Sequence, residues 1–259
     1  MDQLTFGQYS LVYNAFSFVV AAMGAATVFL FLSRSQISPT YKTAVTISGV
    51  VTMIAFYHYF RIFNSWEASF SISNGVVTAT GKHFNDAYRY VDWLLTVPLL
   101  VTELILVMKL PGNEGAKKAT RLAVLAAAMV VLGYPGEISN NSSTRLLWWV
   151  LSMIPFLIIQ FELFVGLRGA IALQPESARG MVSAARYITV VTWLFYPIVY
   201  LFPLLGLSGA AANVGVQVGY SVADVLAKAG FGVFIYMIAL RKTQAEAMNT
   251  RSTPAMATV

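Results

Sequence analysis

Along this chain apolar residues do not alternate with polar ones at short period; they gather into long runs separated by short polar stretches. Seven such runs, at about 9–33, 41–63, 85–108, 119–139, 143–169, 178–206 and 212–241, each reach the roughly 20 residues that a helix needs to cross a hydrocarbon core. In hydrocarbon every backbone N–H and C=O must be satisfied within its own segment, so each run predicts a helix. Between the second and third runs the period changes. Ala68–Gly81 alternates apolar and polar residues around Asn74-Gly75, a pair suited to a two-residue hairpin turn. The expected architecture is therefore an all-α membrane protein: one seven-transmembrane-helix bundle spanning residues 1–259, with a short extracellular β-hairpin between helices 2 and 3. The segment after Lys242 is polar, and residues 243–259 are expected to be a disordered tail.

Composition agrees with that pattern. The 259 residues are 58% hydrophobic and 11% charged, where a soluble domain carries about a quarter charged residues. With no cysteine, disulfides, thiolate metal sites and thiol nucleophiles are excluded. Met1–Ser10 lacks a basic leader segment and a small-residue cleavage site, so no removable signal peptide is expected. The net charge of +6 could suggest a nucleic-acid partner, but its distribution argues otherwise. One set of connections carries Arg34, Lys42, Lys109, Lys117, Lys118, Arg121, Arg168, Arg179, Arg186, Arg241, Lys242 and Arg251; the opposite set carries Arg61, Lys82 and Arg145. By the positive-inside rule the amino terminus lies outside and the carboxyl terminus in the cytoplasm. The basic excess is thus a topology signal, the partner is membrane lipid, and the expected location is an inner (plasma) membrane.

Ionisable residues within the spans are costly to bury and therefore point to function. On the seventh span Asp224 and Lys228 are four residues apart, on one helix face. Such a pair can be a buried ion pair that only stabilises packing. It can also be reactive, because a buried amine tends to lose its proton and can then condense with an aldehyde to a Schiff base. The third span places Arg89 and Asp92 three residues apart and Asp92 and Thr96 four apart, with Glu103 eleven residues beyond Asp92, ~16 Å along the same face. Both spans run from outside to inside, so Arg89, Asp92 and Asp224 lie outward of Lys228 and Glu103 lies inward. A proton acceptor outside the amine and a candidate donor inside it is the order that outward proton transport requires.

Three motifs carry a family resemblance. Arg89-Tyr-x-Asp92-Trp93-Leu-x-Thr96-x-Pro-Leu-Leu100 resembles the third-helix signature of microbial rhodopsins. Asp224-Val-Leu-Ala-Lys228 resembles the end of their retinal-lysine motif, and Trp193-Leu-Phe-Tyr196-Pro197-x-x-Tyr200 their aromatic wall around retinal. The resemblance, to the proteorhodopsin and xanthorhodopsin kind, runs over all seven spans. It implies a light-driven outward proton pump and not an enzyme, with all-trans retinal held covalently by Lys228. It further implies Asp92 as acceptor and counterion, Asp224 as second counterion, Arg89 as the gate toward the exterior and Glu103 as cytoplasmic donor. Trp93, Met129, Trp149, Trp193, Tyr196, Pro197 and Tyr200 would contact the polyene, Gly133 would leave room near its ring, and Leu100 stands at the position where leucine marks green forms and glutamine blue ones. The triplet Asp92, Thr96, Glu103 is that of bacterial proton pumps rather than of chloride or sodium pumps. His58 matches the histidine that partners the acceptor carboxylate. No metal ligand set is implied. A homo-oligomer, trimer to hexamer, is expected.

The sequence also departs from relatives. The segment 202–219 contains no acid, so the paired-glutamate release group of archaeal pumps is missing. Trp149 stands where carotenoid-binding relatives have glycine, so no antenna carotenoid is expected. The first span has no tryptophan, unlike proteorhodopsin pentamers. His83 is expected at the surface, and Glu137 and Glu162 at surface or interface positions off the proton path. A sensory rhodopsin would share Lys228, Asp92 and the aromatic pocket, but usually lacks a carboxylic donor like Glu103. A retinal-free proton-coupled transporter would show inverted repeats with broken helices, and none is evident.

Overall fold

The computed structural model describes residues 3–85 and 87–252. Among them seven helices are long and apolar enough to cross a membrane: α1 (Phe6–Gln36), α2 (Pro39–Ser69), α3 (Ala87–Met108), α4 (Glu114–Glu137), α5 (Ser142–Ala172), α6 (Glu176–Tyr200) and α7 (Ala210–Thr250). Every expected span is present, and most limits move outward by a few residues. Helix ends follow capping chemistry, which a hydropathy pattern does not register. Thr5 and Gln8 cap α1 reciprocally, the Asn141 side chain accepts the Thr144 N–H at 2.9 Å to start α5, and Pro39 occupies the first turn of α2.

Three expectations are corrected. The sixth span stops at Tyr200 rather than 206, because Phe202–Leu205 tightens into a 3-10 turn that ends on Gly206 at φ 74°. The segment after Lys242 is not disordered up to residue 252, since the last helix continues to Ser252. Its polar side chains find partners on neighbouring elements. Thr243 Oγ1 accepts the Ser38 N–H at 3.0 Å, and Glu246 accepts the Tyr41 hydroxyl at 2.5 Å and pairs with Lys109 at 3.5 Å. Finally, Arg186 does not lie in a connection: it is within α6 and 7% exposed, its guanidinium over the rings of Phe164 and Tyr187. Met1, Asp2, Asp86, the Arg251 side chain and the end of the expected tail, 253–259, lie outside the described residues.

The hairpin forms as expected. β1 (Phe70–Ser73) and β2 (Val76–Ala79) pair antiparallel from Phe70↔Ala79 to Ser73↔Val76. Asn74 and Gly75 turn the chain at φ 49° and 78°, the doubly positive φ that a tight hairpin turn demands. Phe70 anchors it, buried against Trp66 and Tyr9.

In the bundle α1 to α5 pack in sequence, while α7 closes against α1, α2, α3 and α6. Large apolar side chains such as Leu32, Val124, Phe161 and Val191 point outward, each more than 60% exposed. Arg89, Asp92, Thr96, Glu103, Asp224 and Lys228 are each no more than 2% exposed. Apolar outside and charged inside is the arrangement for hydrocarbon as solvent, and the chain is a multi-pass membrane protein.

Candidate functional site

Lys228 sits in a π-helical turn, Val225–Gly230, inserted into α7. Such a turn fits one extra residue into the helix, re-aims the side chains after it and is frequent at functional sites. The ammonium contacts Asp92 on α3 and lies 3.2 Å from Asp224 Oδ2 one turn back. An amine and two carboxylates, all at most 2% exposed, can be buried only because they neutralise one another and draw in further donors. Asp224 receives two, from the hydroxyls of Tyr59 on α2 (2.7 Å) and Tyr196 on α6 (2.5 Å). Asp92 is less saturated, since its Oδ1 has no hydrogen-bond partner.

His58 and Thr96 are close to Asp92 but bond elsewhere. His58 Nδ1 is 3.8 Å from Asp92 Oδ1 and engages the Ile54 carbonyl at 3.0 Å. The Thr96 hydroxyl donates to the backbone carbonyl of Asp92 at 2.8 Å, a bond that braces the helix turn rather than the carboxylate. Arg89 is buried one turn along α3, where it donates to the Gln217 side chain at 2.6 Å and lies over the rings of Tyr220, Phe16 and Phe84.

Beside this cluster opens a mainly apolar cavity. Its walls include Trp93, Met129, Gly133, Trp149, Trp193, Tyr196, Pro197 and Tyr200, as the motifs suggested, together with Asp224 and Lys228 themselves. Leu100 is not among its lining residues; it is buried in the core at 3% exposure, while Val97, nearly one turn earlier, faces the cavity. Trp149 is fixed by its indole N–H, which donates to the Pro197 carbonyl at 3.0 Å. Trp93 packs edge-on against Tyr196 and Tyr220, with centroids 5.0 and 5.4 Å apart. A primary amine in the wall of a rigid aromatic slot suits a long, flat, apolar aldehyde: the residues present fit retinal.

Glu103 lies deeper in α3, fully buried, with neither carboxyl oxygen making a close hydrogen bond and the Ser48 hydroxyl of α2 beside it. Glu137 and Glu162 pair with bases away from the cluster. Glu137 bonds Arg145 at 2.9 Å, and Glu162, 8% exposed in a second π-helical stretch (Glu162–Gly166) of α5, bonds Lys118 at 2.5 Å.

Sequence reasoning passed over Tyr59, Gln217 and Tyr220, and over Tyr90 and Ser152, which also line the cavity. For two of them a signal existed. Gln217, Tyr220, Asp224 and Lys228 recur at three, four and four residues, one polar face of an otherwise apolar helix. Tyr59 and Tyr90 gave none, because an aromatic at helical spacing reads as packing.

The family model of bacteriorhodopsin-like proteins matches residues 12–242. A green-light absorbing proteorhodopsin from the gamma-proteobacterium EBAC31A08 is 31% identical over 233 residues, 88% of this chain and 86% of the relative. The crystallographic structure of xanthorhodopsin, a light-driven ion pump with dual chromophore, matches with a TM-score of 0.92 at 51% identity, covering 95% of this chain and 99% of that one. The crystal structure of a thermophilic rhodopsin matches at 0.91 and 42% identity, with the same coverage of both chains.

Proposed function

Because the chain belongs to the bacteriorhodopsin-like family, we propose that it is a light-driven pump that carries protons outward across a bacterial inner membrane, with its amino terminus outside. The carrying observation is Lys228, buried in the wall of an aromatic cavity between Asp92 and Asp224, with Glu103 eleven residues further along α3. Lys228 would hold all-trans retinal, with Trp93, Trp149, Trp193 and Tyr196 flanking it, and the bound group would supply light absorption and photoisomerisation. Asp92 is the base in contact with the lysine nitrogen and keeps a free acceptor oxygen, whereas both Asp224 oxygens already hold tyrosine hydroxyls. Asp92 therefore receives the proton from Lys228 Nζ, and Asp224 stays as counterion. Arg89, toward the exterior, separates this pair from the outer surface.

Glu103 refills the nitrogen from the cytoplasmic side. A carboxylate without cation or close donor in the apolar core is expensive, so Glu103 holds its proton until the nitrogen needs it. A positioned acid delivers a proton faster than distant bulk water. The work against the membrane is only about 2.3 kcal/mol per 100 mV for each charge, so direction is decided by which side regains access to the nitrogen.

Two measurements test this. Illuminated cells carrying the retinal-loaded protein should acidify their medium; a pigment that leaves the pH unchanged would be a sensor. Glu103→Gln should keep the visible band and the first deprotonation of the lysine nitrogen, but slow recovery of the band by about 100-fold, with azide restoring the rate. Recovery as fast as wild type would remove Glu103 as donor.

A further inference from the structure

After Glu103 has given up its proton it must take another from the cytoplasm, and the last turn of α3 stands in the way. Leu104, Ile105, Val107 and Met108 are each no more than 1% exposed. Past them the helix ends at Lys109, whose φ of 54° turns the chain aside, and the carbonyls of a helix's last turn lack partners within the helix. A residue of α7 supplies partners. Lys242 Nζ donates to the Val107 and Met108 carbonyls, both at 2.9 Å, and to Gln174 Oε1 at 2.8 Å. Gln174, in the connection from α5 to α6, donates in turn from Nε2 to the Met108 carbonyl at 3.1 Å and to the Ala170 carbonyl at 3.0 Å. The ammonium thus has an acceptor for each of its three N–H bonds, and because it can only donate, the amide oxygen of Gln174 must face it. A lysine near the end of a span ordinarily extends to the surface, and Arg241 beside it is exposed. Lys242 is instead 4% exposed, its ammonium 4.8 Å from the centre of the Tyr41 ring of α2.

We propose that Lys242 is the positioning residue of the pump's cytoplasmic half: it latches the end of α3 to α7 and to the α5–α6 connection, which keeps Glu103 closed to the cytoplasm while it holds its proton, and the latch opens for uptake. Val107 lies one turn beyond Glu103 on the same face of α3, so a bond that fixes its carbonyl also fixes the turn that covers the carboxyl. A cation suits the place twice, since it saturates the carbonyls and meets the negative end of the α3 dipole. The bonds join three separate elements through one ammonium, so a shift of α7 or of the connection loosens them together. A methionine of similar length would fill the space but donate nothing, leaving the end of α3 free to part from α7.

This inference rests on Glu103 being the cytoplasmic donor, and its test separates the two readings. The retinal-loaded full-length protein is followed after a flash. With Glu103→Gln alone, the proton must come from the medium through the closed turn. Adding Lys242→Met should speed recovery of the band by about tenfold, the ratio that loss of one bond to a charged group gives. It should also lower, by a similar factor, the azide concentration that half-restores the rate. Gln174→Met should act in the same direction but more weakly, since it leaves both carbonyl bonds of Lys242 in place. Loss of a residue that only packed the bundle would hasten thermal bleaching without making recovery faster or azide more effective. Amide hydrogen exchange of residues 104–108 in the dark reads the latch whether or not Glu103 is the donor, and should rise by about tenfold in Lys242→Met. Unchanged exchange overturns the latch, and faster exchange without faster recovery overturns its role in the pump. If Lys242→Met forms no pigment, Gln174→Met carries both measurements. If Glu103→Gln alone recovers as fast as wild type, the donor reading falls. Lys242→Met is then judged with Glu103 in place, where faster recovery supports the latch and unchanged recovery overturns it.

Discussion

At the scale of single residues, the site is a set of unequal claims on a few oxygen atoms. Asp224 is held by Tyr59, Tyr196 and Lys228, whereas Asp92 has Lys228 on one oxygen and an open position on the other. That difference, and not a difference in residue type, separates a fixed counterion from a mobile acceptor. The His58 ring stands 3.8 Å from the open oxygen, close enough for its N–H edge to favour the ionised carboxylate without a direct bond. The absorption band of the retinal-loaded wild type should therefore move to longer wavelength on acidification, and His58→Asn should move that change to higher pH by about half to one unit. Absorption spectra across a pH series decide it, and an unmoved midpoint in His58→Asn would leave the histidine a packing residue.

At the scale of elements, irregular turns and small residues place the chemistry. The π-helical turn at Val225–Gly230 carries Lys228, and proline interrupts α3, α4, α5 and α6 at Pro98, Pro135, Pro155 and Pro197. Gly136, near the end of α4, faces Trp148 and Arg145 of α5 and Tyr200 of α6. A methyl group there would lie 2.9 Å from Trp148 Cβ and 3.1 Å from the Arg145 carbonyl, and would run into the Tyr200 hydroxyl. The Arg145 carbonyl is backbone and also accepts that hydroxyl at 3.2 Å, so it cannot give way cheaply. Gly136→Ala should cost about 1–3 kcal/mol through overpacking, seen as faster thermal bleaching of the pigment. Gly215→Ala, with nothing within 4 Å of the added methyl, is the control and should bleach no faster than wild type. Equal behaviour of the two variants would mean that α4 and α5 adjust freely.

On the scale of the whole molecule, direction is the property that matters. Seven crossings put the hairpin and the end of α7 on opposite faces, and the basic side chains gather on the face that includes α7's end. Absence of cysteine makes the orientation directly measurable. In intact cells a membrane-impermeant maleimide should label Asn74→Cys and spare Met248→Cys until the cells are opened. The reverse labelling would turn the molecule over, and would place Glu103 on the outer side of Lys228, where it could not serve an outward pump.

The sequence by itself determined seven spans, the hairpin and the axial order of Arg89, Asp92, Lys228 and Glu103. Each is written locally: run length is set by bilayer thickness, the turn by the φ preferences of Asn-Gly, and axial order by a rise of about 1.5 Å per residue. Which hydroxyls saturate Asp224, that Leu100 turns into the core while Val97 faces the cavity, and that Gln217 meets Arg89 were decided only by the tertiary structure. These depend on the rotation of one helix against another and, for the residues after Val225, on a π-helical turn that shifts the helical phase. The helical continuation to Ser252 belongs with them. Its partners Ser38, Tyr41 and Lys109 lie far away in the chain, and a hydropathy pattern records what a residue prefers as solvent, not which distant group it will meet.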